Sequence, residues 1–539
     1  MAQWCRFKPG SVSADHLDSG VTFVKPEGAD KVLRVTDSPA HADGPHAEEA
    51  GELPEQVRIR REKYDRLMAD PDRAPFPATV NRTHGLAAIR RAFPDLAADT
   101  KTGQRVGVTG RVIFVRNTGK LCFATLREDG VELQAMMSAD KVGAQSLASW
   151  KSDVDLGDQV LVTGEVISSR RGELSVLADS WRITAKALRP MPVAHKPMSE
   201  EARVRQRYVD LIVRPEARRM VEVRSGVIRS LRGTLAERGY LEVETPVLQA
   251  VHGGAAARPF HTHLNAFDLP MSLRIALELP LKRCIVGGID RVFEIGRIFR
   301  NEGVDSTHSP EFTMLEAYEA YGDYHSMAEL TKSLILNAAA AVDITSGITA
   351  NGHDVDLSGE WRWITLHDAV AEAVSTPITP DTSAEQLRVL AARHDVGLRP
   401  EWSAGDIVLE LFEKLVEHTL IQPTFVADYP RSVKPLARTH RSDPRLAEAW
   451  DLVIGGVELA PAYSELVDPV EQRRLLVQQS LAAAAGDPEA MELDEDFLTA
   501  LEFGMPPTGG MGLGVDRLVS LLTGRGIRET ILFPLLKPL

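Results

Sequence analysis

The chain has 539 residues, of which 44% are hydrophobic, so it is long enough to form more than one domain with a substantial core. No apolar run reaches the roughly 18 residues that a membrane-spanning helix needs. The net charge of −14 excludes a protein that wraps nucleic acid over its whole surface, but it is compatible with a local basic face.

The N-terminus lacks the basic and then apolar arrangement of a signal peptide, so we expect a cytoplasmic protein. Cys5, Cys122 and Cys284 are too few and too scattered for a disulfide framework or a zinc site. Residues 1–52 are rich in Gly, Pro, Asp, Glu and His without apolar periodicity, which predicts a disordered extension. A helical lead-in is predicted over residues 53–104, with a charged helix at about 53–68.

Short β-rich runs separated by turn signals occupy residues 105–190, with one helical stretch near 139–150. Five strands and one helix favour a closed β-barrel such as an OB-fold, and a β-sandwich is the alternative. Residues 101–190 hold thirteen Lys or Arg against ten Asp or Glu, so their net charge is +3 while the remainder carries −17. The predicted strands lie at 106–115, 121–126, 131–137, 160–167 and 174–181.

A polar linker at 191–205 leads to a second domain at 206–539. Apolar residues recur at helical spacing from Met220 to Leu235, and Gly239 ends that helix. The segment 240–248 predicts an edge strand because it contains Pro246, and an exposed edge often pairs with a second subunit. A helical insertion is predicted at about 325–420. Mixed strands and helical insertions without regular βαβα alternation predict an α+β fold, its sheet mixed and mainly antiparallel with flanking helices.

Residues 292–318 predict a β-hairpin with a polar loop. The loop carries Arg300, Glu302 and His308, and the Arg and His are suited to phosphate. A carboxylate at Glu316 on the returning strand is costly to bury unpaired, so a cationic partner is expected there. The two-residue period of a strand places four side chains on the same face: Phe312, Met314, Glu316 and Tyr318.

A second hairpin is predicted from the sequence Asp-Leu-Val-Ile-Gly-Gly-Val-Glu at 451–458. With Gly455 and Gly456 as the turn, Val453 pairs with Glu458, and Asp451 lies diagonal to Glu458 on the same face. Two acids at one point on a rigid hairpin suit Mg²⁺, especially when phosphate oxygens complete its ligand shell. A solvated acidic pair is an equally good interpretation of these two residues alone.

A glycine-rich loop at 509–517 ends at Arg517 and opens an amphipathic helix. It lacks the Gly-Lys-Ser/Thr ending of a P-loop, so by itself it predicts no more than a packed strand-to-helix turn. Glu278 by itself predicts no functional site either, because the helix dipole alone favours an acid in the first turn of a helix. Tyr318 and Tyr463 taken alone are equally ordinary core aromatics.

Together these features resemble the class II aminoacyl-tRNA synthetases, and most closely the lysyl-tRNA synthetases. The dimer-interface motif of the class matches Gly-Tyr-Leu-Glu-Val-Glu-Thr-Pro at 239–246. The Arg-x-Glu loop matches Phe-Arg-Asn-Glu at 299–302 with residues 308–312, and the third motif matches 510–517. The likeness extends from about residue 53 to residue 539.

The resemblance implies a lysine–tRNA ligase, which activates L-lysine with ATP and then transfers it to the 3′ end of its tRNA. It also implies a homodimer that uses Mg²⁺ and a barrel that reads the anticodon. Arg300 and Arg517 become the catalytic residues. The implied ATP-binding residues are Arg300, Glu302, His308, Phe312 and Arg517, and the implied metal ligands are Asp451 and Glu458. The implied lysine-binding residues are Gly254, Glu278, Glu316, Tyr318, Tyr463 and Glu465, and the implied anticodon-binding residues are Arg116, Phe123, Gln134 and Glu173.

The sequence departs from the family pattern at four positions. Pro461 stands where Asn is usual, and Lys434 stands where Ser is common. The family usually has a proline at the position of Leu277, whereas this chain has its proline three residues later, at Pro280. A shifted proline predicts a shifted helix start that re-aims Glu278. We therefore hypothesise altered affinity or selectivity for the amino acid with unchanged handling of ATP. The alternatives are a divergent paralogue for another diamino acid or a non-tRNA acceptor, and a non-catalytic RNA-binding relative.

Overall fold

The computed structural model describes residues 54–192, 198–304, 308–344, 347–484 and 492–538. The predicted disordered extension, residues 1–52, lies outside these ranges. Within them the α+β class is confirmed, because a closed five-stranded barrel is followed by a domain built on an eight-stranded mixed sheet. No helix in these ranges is both long enough and apolar enough to cross a membrane.

The lead-in consists of two helices, α1 (Glu55–Met68) and α2 (Leu86–Ala92). Helix α1 begins after Pro54, which has no N–H to lose at a helix start, and it carries Glu55 in its first turn. The guanidinium of Arg60 donates to the carbonyls of Leu156 and Ala187, each at 2.9 Å. These bonds hold the lead-in against one end of the barrel.

The barrel has the strand order β1-β2-β3-β5-β4, with β3 and β5 parallel and the other pairs antiparallel. It closes because β1 is long: residues 105–111 pair with β4 and residues 111–118 pair with β2. The OB-fold prediction is confirmed. The strands are β1 (Lys101–Thr118), β2 (Leu121–Glu128), β3 (Val131–Ser138), β4 (Gln159–Ser168) and β5 (Leu174–Ala185).

The helical stretch predicted at 139–150 is two helices, α3 (Ala139–Val142) and α4 (Ala144–Asp153). They separate at Gly143, whose φ of +86° leaves the helical region and favours glycine. The buried Trp150 on α4 meets Trp181 edge to face, with ring centroids 5.1 Å apart, which seats α4 on the barrel.

Three helices connect the barrel to the second domain: α5 (Glu200–Arg205), α6 (Arg207–Val213) and α7 (Pro215–Glu237). The end of the predicted linker, 191–205, is therefore helical. Helix α5 starts there because the Ser199 hydroxyl caps it by accepting from the Ala202 N–H at 3.2 Å. The predicted helix ending before Gly239 is α7.

The main sheet has the order β14-β15-β16-β17-β18-β11-β10-β6, and only β14–β15 and β10–β6 are parallel pairs among its described strands. The prediction of a mixed, mainly antiparallel sheet is confirmed. Its strands are β6 (Leu241–Glu242), β10 (Arg291–Phe299), β11 (Glu311–Ala320), β14 (Arg362–Thr365), β15 (Thr424–Pro430), β16 (Leu446–Ile454), β17 (Val457–Ser464) and β18 (Thr508–Gly514).

The single edge strand predicted at 240–248 is wrong. Only β6 joins the main sheet, and after a stretch that includes Pro246 the chain enters a separate three-stranded sheet, β7-β9-β8. A proline cannot donate to a strand neighbour, which agrees with the break. The strands of this small sheet are β7 (Leu248–Gln249), β8 (His261–Leu264) and β9 (Leu269–Leu273).

The region predicted as helical, about 325–420, is only partly so. It contains the hairpin β12 (Ile348–Ala350) and β13 (His353–Val355) as well as the sheet strand β14. Its helices are α9 (Tyr324–Ala340), α10 (Leu366–Val374), α11 (Ala384–Arg393) and α12 (Ala404–Leu415). The remaining helices are α8 (Glu278–Val286), α13 (Pro469–Ala484), α14 (Glu495–Glu502), α15 (Val515–Thr523) and α16 (Ile527–Thr530).

The largest hydrophobic core lies between this sheet and helices α7, α9 and α15. Leu231, Leu334 and Leu518 from the three helices are fully buried there, against strand residues such as Trp450. Because the helices cover one face, the polar residues on the other face of β11, β16 and β17 are left to line a cavity.

Candidate active site

A cavity of about 650 Å³ opens on the sheet face formed by β11, β16, β17 and β18. All thirteen site residues predicted for the second domain line it, although they come from distant parts of the sequence. They are Gly254, Glu278, Arg300, Glu302, His308, Phe312, Glu316, Tyr318, Asp451, Glu458, Tyr463, Glu465 and Arg517.

The floor of the cavity is made by the glycines of β18. Strand β18 pairs with β11 so that Gly510 is opposite Tyr318 and Gly512 is opposite Glu316. A Cβ added at Gly510 would overlap the Glu465 carboxylate and press on the Tyr318 ring. The glycine-rich sequence therefore makes room for side chains of the neighbouring strands, whereas the sequence alone indicated only a turn.

Glu316 is a buried carboxylate that has two partners in the free chain. Its Oε1 accepts from the Leu277 N–H at 2.9 Å, and its Oε2 accepts from the Tyr318 hydroxyl at 3.0 Å. Burial, reinforced by the nearby Glu278 carboxylate, outweighs these bonds and raises the pKa of Glu316 to about 7. A cation beside it would restore its negative charge.

Lys282 is a functional candidate that the sequence reasoning missed. Its ammonium, fully buried, lies 2.6 Å from Glu278 Oε1 and 2.5 Å from Glu465 Oε2. The spacing of four residues between Glu278 and Lys282 on α8 is the signal that could have revealed half of this arrangement. The lysine is thus a resident counter-ion for two of the three buried acids.

Glu465 is only partly neutralised by Lys282. Its Oε1 is buried and has no hydrogen-bond partner within the described ranges. Burial raises the pKa of Glu465 to about 8 against the opposing effect of the Lys282 ammonium. A buried acceptor without a donor is energetically costly, so a hydrogen-bond donor on a ligand would be favourable at this atom.

The shift of the helix start expected from Pro280 stays a prediction, since the structure gives only where the helix of this chain begins. Helix α8 begins at Glu278, and Pro280 is its third residue, a position where the N–H that proline lacks would have no partner within the helix. The Leu277 side chain is buried in a hydrophobic cluster, and neither Leu277 nor Pro280 lines the cavity. Of the three substitutions Leu277, Pro280 and Pro461, only Pro461 lines the cavity.

Gly254 packs against the start of α8. Its φ of +88° favours glycine, and an added Cβ would lie 3.2 Å from the Cβ atoms of both Ala276 and Glu278. A larger residue here would push the loop away from α8. Gly254 therefore fixes the distance between this loop and the Glu278 carboxylate.

Arg300 is a buried cation that lines the cavity. Its Nε donates to the Ile275 carbonyl at 3.2 Å, and its guanidinium lies 5.4 Å from the centroid of the Phe312 ring. Burial lowers the pKa of Arg300, and the carboxylates of Glu302 and Glu316 oppose this effect. Arginine stays charged despite such a shift, so the cavity holds a fixed cation beside an aromatic face.

Arg517 is the second cation, on the third residue of α15. Its Nη1 donates to the Glu458 carbonyl at 2.7 Å and lies 4.0 Å from Glu458 Oε2. Burial and the neighbouring Asp451 raise the pKa of Glu458, while Arg517 lowers it. Two guanidinium groups on one cavity wall suit a polyphosphate.

The second hairpin forms as predicted at its turn, where Val453 pairs with Glu458. An irregularity beyond Val453 then places Asp451 opposite Pro461. Asp451 and Glu458 both line the cavity, and carboxylates suit Mg²⁺. In the described part of the chain, however, no group of three or more His, Cys, Asp or Glu side chains is arranged to hold a metal ion. An ion at this hairpin would complete its ligand shell with water molecules or with the oxygens of a bound phosphate.

Asp451, which the sequence predicted as a metal ligand, already forms an ion pair within the chain. The Lys434 ammonium lies 3.1 Å from its Oδ1 and 3.0 Å from its Oδ2. Burial alone would lower the pKa of Lys434, but Asp451 and its neighbours raise it, so the side chain is a cation. Glu458 is therefore the carboxylate of the pair that is better placed for a metal ion.

Three of the four predicted barrel residues lie on the neighbouring strands β1, β2 and β3, and the fourth, Glu173, directly precedes β5. Arg116 on β1 is opposite Phe123 on β2, and its guanidinium lies 4.8 Å from the centroid of the half-buried ring. On β3, the side-chain oxygen Oε1 of Gln134 accepts from the Ser175 hydroxyl at 3.1 Å. The carboxylate of Glu173, which precedes β5, is 50% exposed. An aromatic ring with donors and acceptors around it suits an unpaired base.

Comparison with known families and proteins agrees with this architecture. Residues 199–537 match the family described as tRNA synthetases class II (D, K and N). Residues 93–184 match the family described as OB-fold nucleic acid binding domain. The two matches cover the second domain and the barrel, respectively.

Among individual proteins, the chain is 58% identical over 499 residues to a lysine–tRNA ligase of Kineococcus radiotolerans, covering 92% of this chain and 99% of that protein. It is 58% identical over 490 residues to a lysine–tRNA ligase of Mycolicibacterium gilvum, covering 90% and 98%. It is also 51% identical over 525 residues to the lysylphosphatidylglycerol biosynthesis bifunctional protein LysX of Nocardia farcinica, covering 95% of this chain but 46% of that protein.

Proposed function

The chain belongs to the class II aminoacyl-tRNA synthetase family, and from this premise we propose that it is a lysine–tRNA ligase. It activates L-lysine with ATP to give lysyl-adenylate and pyrophosphate, and then transfers the lysyl group to the 3′ end of a tRNA. The enzyme is a ligase. Its sequence is highly similar to lysine–tRNA ligases over about nine-tenths of its length.

The observation that carries the choice of lysine is the charge balance of the acidic end of the cavity. When ionised, Glu278, Glu316 and Glu465 supply three negative charges and Lys282 supplies one positive charge, so two negative charges remain for a ligand to balance. The α- and ε-ammonium groups of a diamino acid balance that charge. The unpartnered Glu465 Oε1 supplies an acceptor for one of them.

Arg300 and Arg517 support activation of the amino acid by electrostatics. An oxygen of the lysine carboxylate attacks the α-phosphorus of ATP, and the bond to pyrophosphate breaks as the new C–O–P bond forms. The Arg300 guanidinium, next to Phe312, balances the charge that develops at the α-phosphate, while Phe312 stacks on adenine. Arg517 holds the γ-phosphate, and Glu302 and His308 help to place the nucleotide.

No side chain of this cavity need act as a nucleophile, so catalysis depends on orientation and charge. Mg²⁺, which the family typically uses, neutralises phosphate oxygens when bound, and Glu458 would hold it. In the transfer step, a terminal ribose hydroxyl of the tRNA attacks the lysyl carbonyl carbon, and AMP leaves. The buried acids keep the lysyl ammonium groups in place during both steps.

The barrel selects the tRNA through its anticodon. Phe123 stacks on an unpaired base, while Arg116, Gln134 and Glu173 contact base edges. The local charge of +3 supports contact with RNA at this face, in a chain whose remainder is acidic. With tRNA as its partner, the enzyme works in the cytoplasm.

The active unit is a homodimer. Strand β6 lies at one edge of the main sheet. Leu241 on β6 is 54% exposed, and Val247 and Leu248 beyond it are also exposed, which is an apolar edge suited to a second subunit. Light scattering after size-exclusion chromatography tests this, and a monomer at micromolar concentration would contradict it.

ATP–pyrophosphate exchange with lysine, ornithine and norleucine tests the function most directly. Lysine should support exchange, and norleucine, which lacks the ε-ammonium, should not. Glu465→Gln should abolish lysine-dependent exchange, whereas the exposed Glu502→Gln on α14 serves as the matched control. Exchange with norleucine equal to that with lysine would contradict the role of the buried acids. Preference for ornithine would assign the enzyme to another diamino acid.

A further inference from the structure

The Lys434 ammonium has an unusual position for a lysine, because it lies inside the cavity on a carboxylate predicted to bind a metal ion. It contacts both oxygens of Asp451 at 3.0–3.1 Å, and 16% of its side chain is exposed. Asp451 itself is 13% exposed. This ion pair is therefore not one of the exposed surface pairs that contribute little.

The surroundings of Lys434 are built to hold a cation. Its Nζ lies 4.3 Å from the centroid of the Tyr429 ring and 5.5 Å from that of Tyr463, so two aromatic rings stabilise the charge. Arg431 donates from Nη1 to the Lys434 carbonyl at 3.0 Å, which fixes the backbone of the short turn after β15. The ammonium is thus placed before any ligand binds.

The same ammonium can also reach a ligand. Two of its three donors are used on Asp451, and within the described ranges Nζ makes no other hydrogen bond. Lys434 lines the cavity together with Glu458 and Arg517, the residues assigned to the phosphate end. A phosphate oxygen is the chemistry that a cation at this place recognises.

We propose that Lys434 is a built-in cation that occupies at Asp451 the place of a divalent metal ion and contacts the phosphates of ATP. The inference rests on the proposed function, because it assumes that ATP binds in this cavity. Asp451 then serves as the counter-ion of Lys434, and Glu458 remains as the protein ligand for a metal ion that arrives with the nucleotide. The enzyme consequently takes up fewer divalent ions per ATP than a site with two available carboxylates.

Electron paramagnetic resonance of Mn²⁺ can count these ions without relying on activity. The full chain is titrated with Mn²⁺ in the presence of ATP and the absence of amino acid, and bound ATP is measured by calorimetry. Lys434→Gln releases Asp451, so it should bind about one more Mn²⁺ per ATP than the unmodified chain. The double variant Lys434→Gln with Asp451→Asn should return to the original number.

Two further variants complete the design. Lys434→Arg keeps the charge and should bind the original number of ions, which also covers the case in which the Gln variant fails to fold. Lys414→Gln, an exposed lysine on α12, is the matched control and should change nothing. An unchanged Mn²⁺ number in a folded Lys434→Gln variant, or an additional ion in Lys434→Arg, would overturn the proposal.

The outcome can be separated from a failure of the proposed function. If the unmodified chain binds no ATP, the assigned function fails. The Mn²⁺ titration without nucleotide still decides the inference, because Lys434→Gln should then gain a site at Asp451 and Glu458 that the unmodified chain lacks. Equal Mn²⁺ binding by the unmodified chain and by Lys434→Gln in that titration would overturn the proposal that Lys434 is a built-in cation.

Discussion

Binding of lysine should release protons from the enzyme. In the free chain, burial raises the pKa of Glu316 to about 7 and that of Glu465 to about 8. Both groups therefore hold protons at pH 7 that an unperturbed carboxyl would have lost. The ammonium groups of lysine bind the ionised carboxylates, so these protons leave when the substrate enters.

The number of protons follows from these two pKa values. At pH 7, Glu316 is about half protonated and Glu465 about nine-tenths protonated, so binding releases roughly one proton or slightly more. At pH 6 the number rises towards about two, and at pH 8 it falls to about one half. Because Lys282 lies between two of the acids, the protons belong to the cluster and not to single residues.

The sign of the pH dependence is fixed by the same linkage. Release of protons means that the affinity for lysine increases with pH, by more than about tenfold between pH 6 and pH 7, and more gently above pH 8. Without substrate, the raised pKa values make the folded chain bind more protons than the unfolded chain, so these groups lower its stability as pH rises from about 4.5 to about 8.

Calorimetry in two buffers of different ionisation enthalpy measures the proton number at each pH. Tyr318→Phe removes the hydroxyl that donates to Glu316, so its pKa should rise further and more protons should be released at pH 8. Heats of lysine binding that are identical in both buffers at pH 7 would refute the reasoning, as would an affinity that is independent of pH between 6 and 7.

Three further results are expected. Lys282→Met leaves buried carboxylates without their counter-ion and should lower the free energy of unfolding, measured by urea denaturation, by about 3–5 kcal/mol. The exposed Lys414→Met should change this free energy little. Equal stability of the two variants would contradict the buried ion pairs of Lys282. Phe123→Ala should lose about 1–3 kcal/mol of base stacking. The loss should raise the KM for tRNA and leave ATP–pyrophosphate exchange unchanged. An unchanged KM for tRNA would contradict the role assigned to the barrel. Gly510→Ala forces a Cβ into the Glu465 carboxylate and should raise the KM for lysine at least about tenfold. The control is Gly233→Ala on α7, where an added Cβ meets nothing within 4 Å, and it should keep normal kinetics. The reverse pattern would refute the packing of the cavity floor.

Local periodicity was enough to predict the hairpin that carries most of the site. Strands β10 and β11 follow the alternating pattern, and their register leaves Glu316 and Tyr318 on one face, as the two-residue period requires. The five barrel strands were likewise predictable from β-rich runs between turn signals, and in β2, β3 and β4 buried residues alternate with less buried ones. The strand predicted at 240–248 failed because a single proline divided it between two sheets.

The charge balance of the acidic end could not be predicted in the same way. Lys282 and Glu278 are neighbours on one helix, but the contact of Lys282 with Glu465 joins α8 to the end of β17. Such a contact depends on how the sheet and helix pack, which no local pattern encodes. The family resemblance named the acids, and only the fold shows that one of their cationic partners is already in the chain.

The departures from the family pattern illustrate why a substitution must be interpreted through its contacts. From the sequence, Leu277, Pro280 and Pro461 pointed to a changed amino-acid pocket with unchanged ATP handling, yet Leu277 and Pro280 do not line the cavity. Lys434 does line it, and its ammonium holds a carboxylate at the phosphate end. If Lys434 is the substitution that matters, a comparison of lysine with ornithine will show ordinary discrimination, and the dependence on divalent ions will be the property that differs. The two measurements therefore distinguish a change of substrate from a change in how this enzyme neutralises ATP.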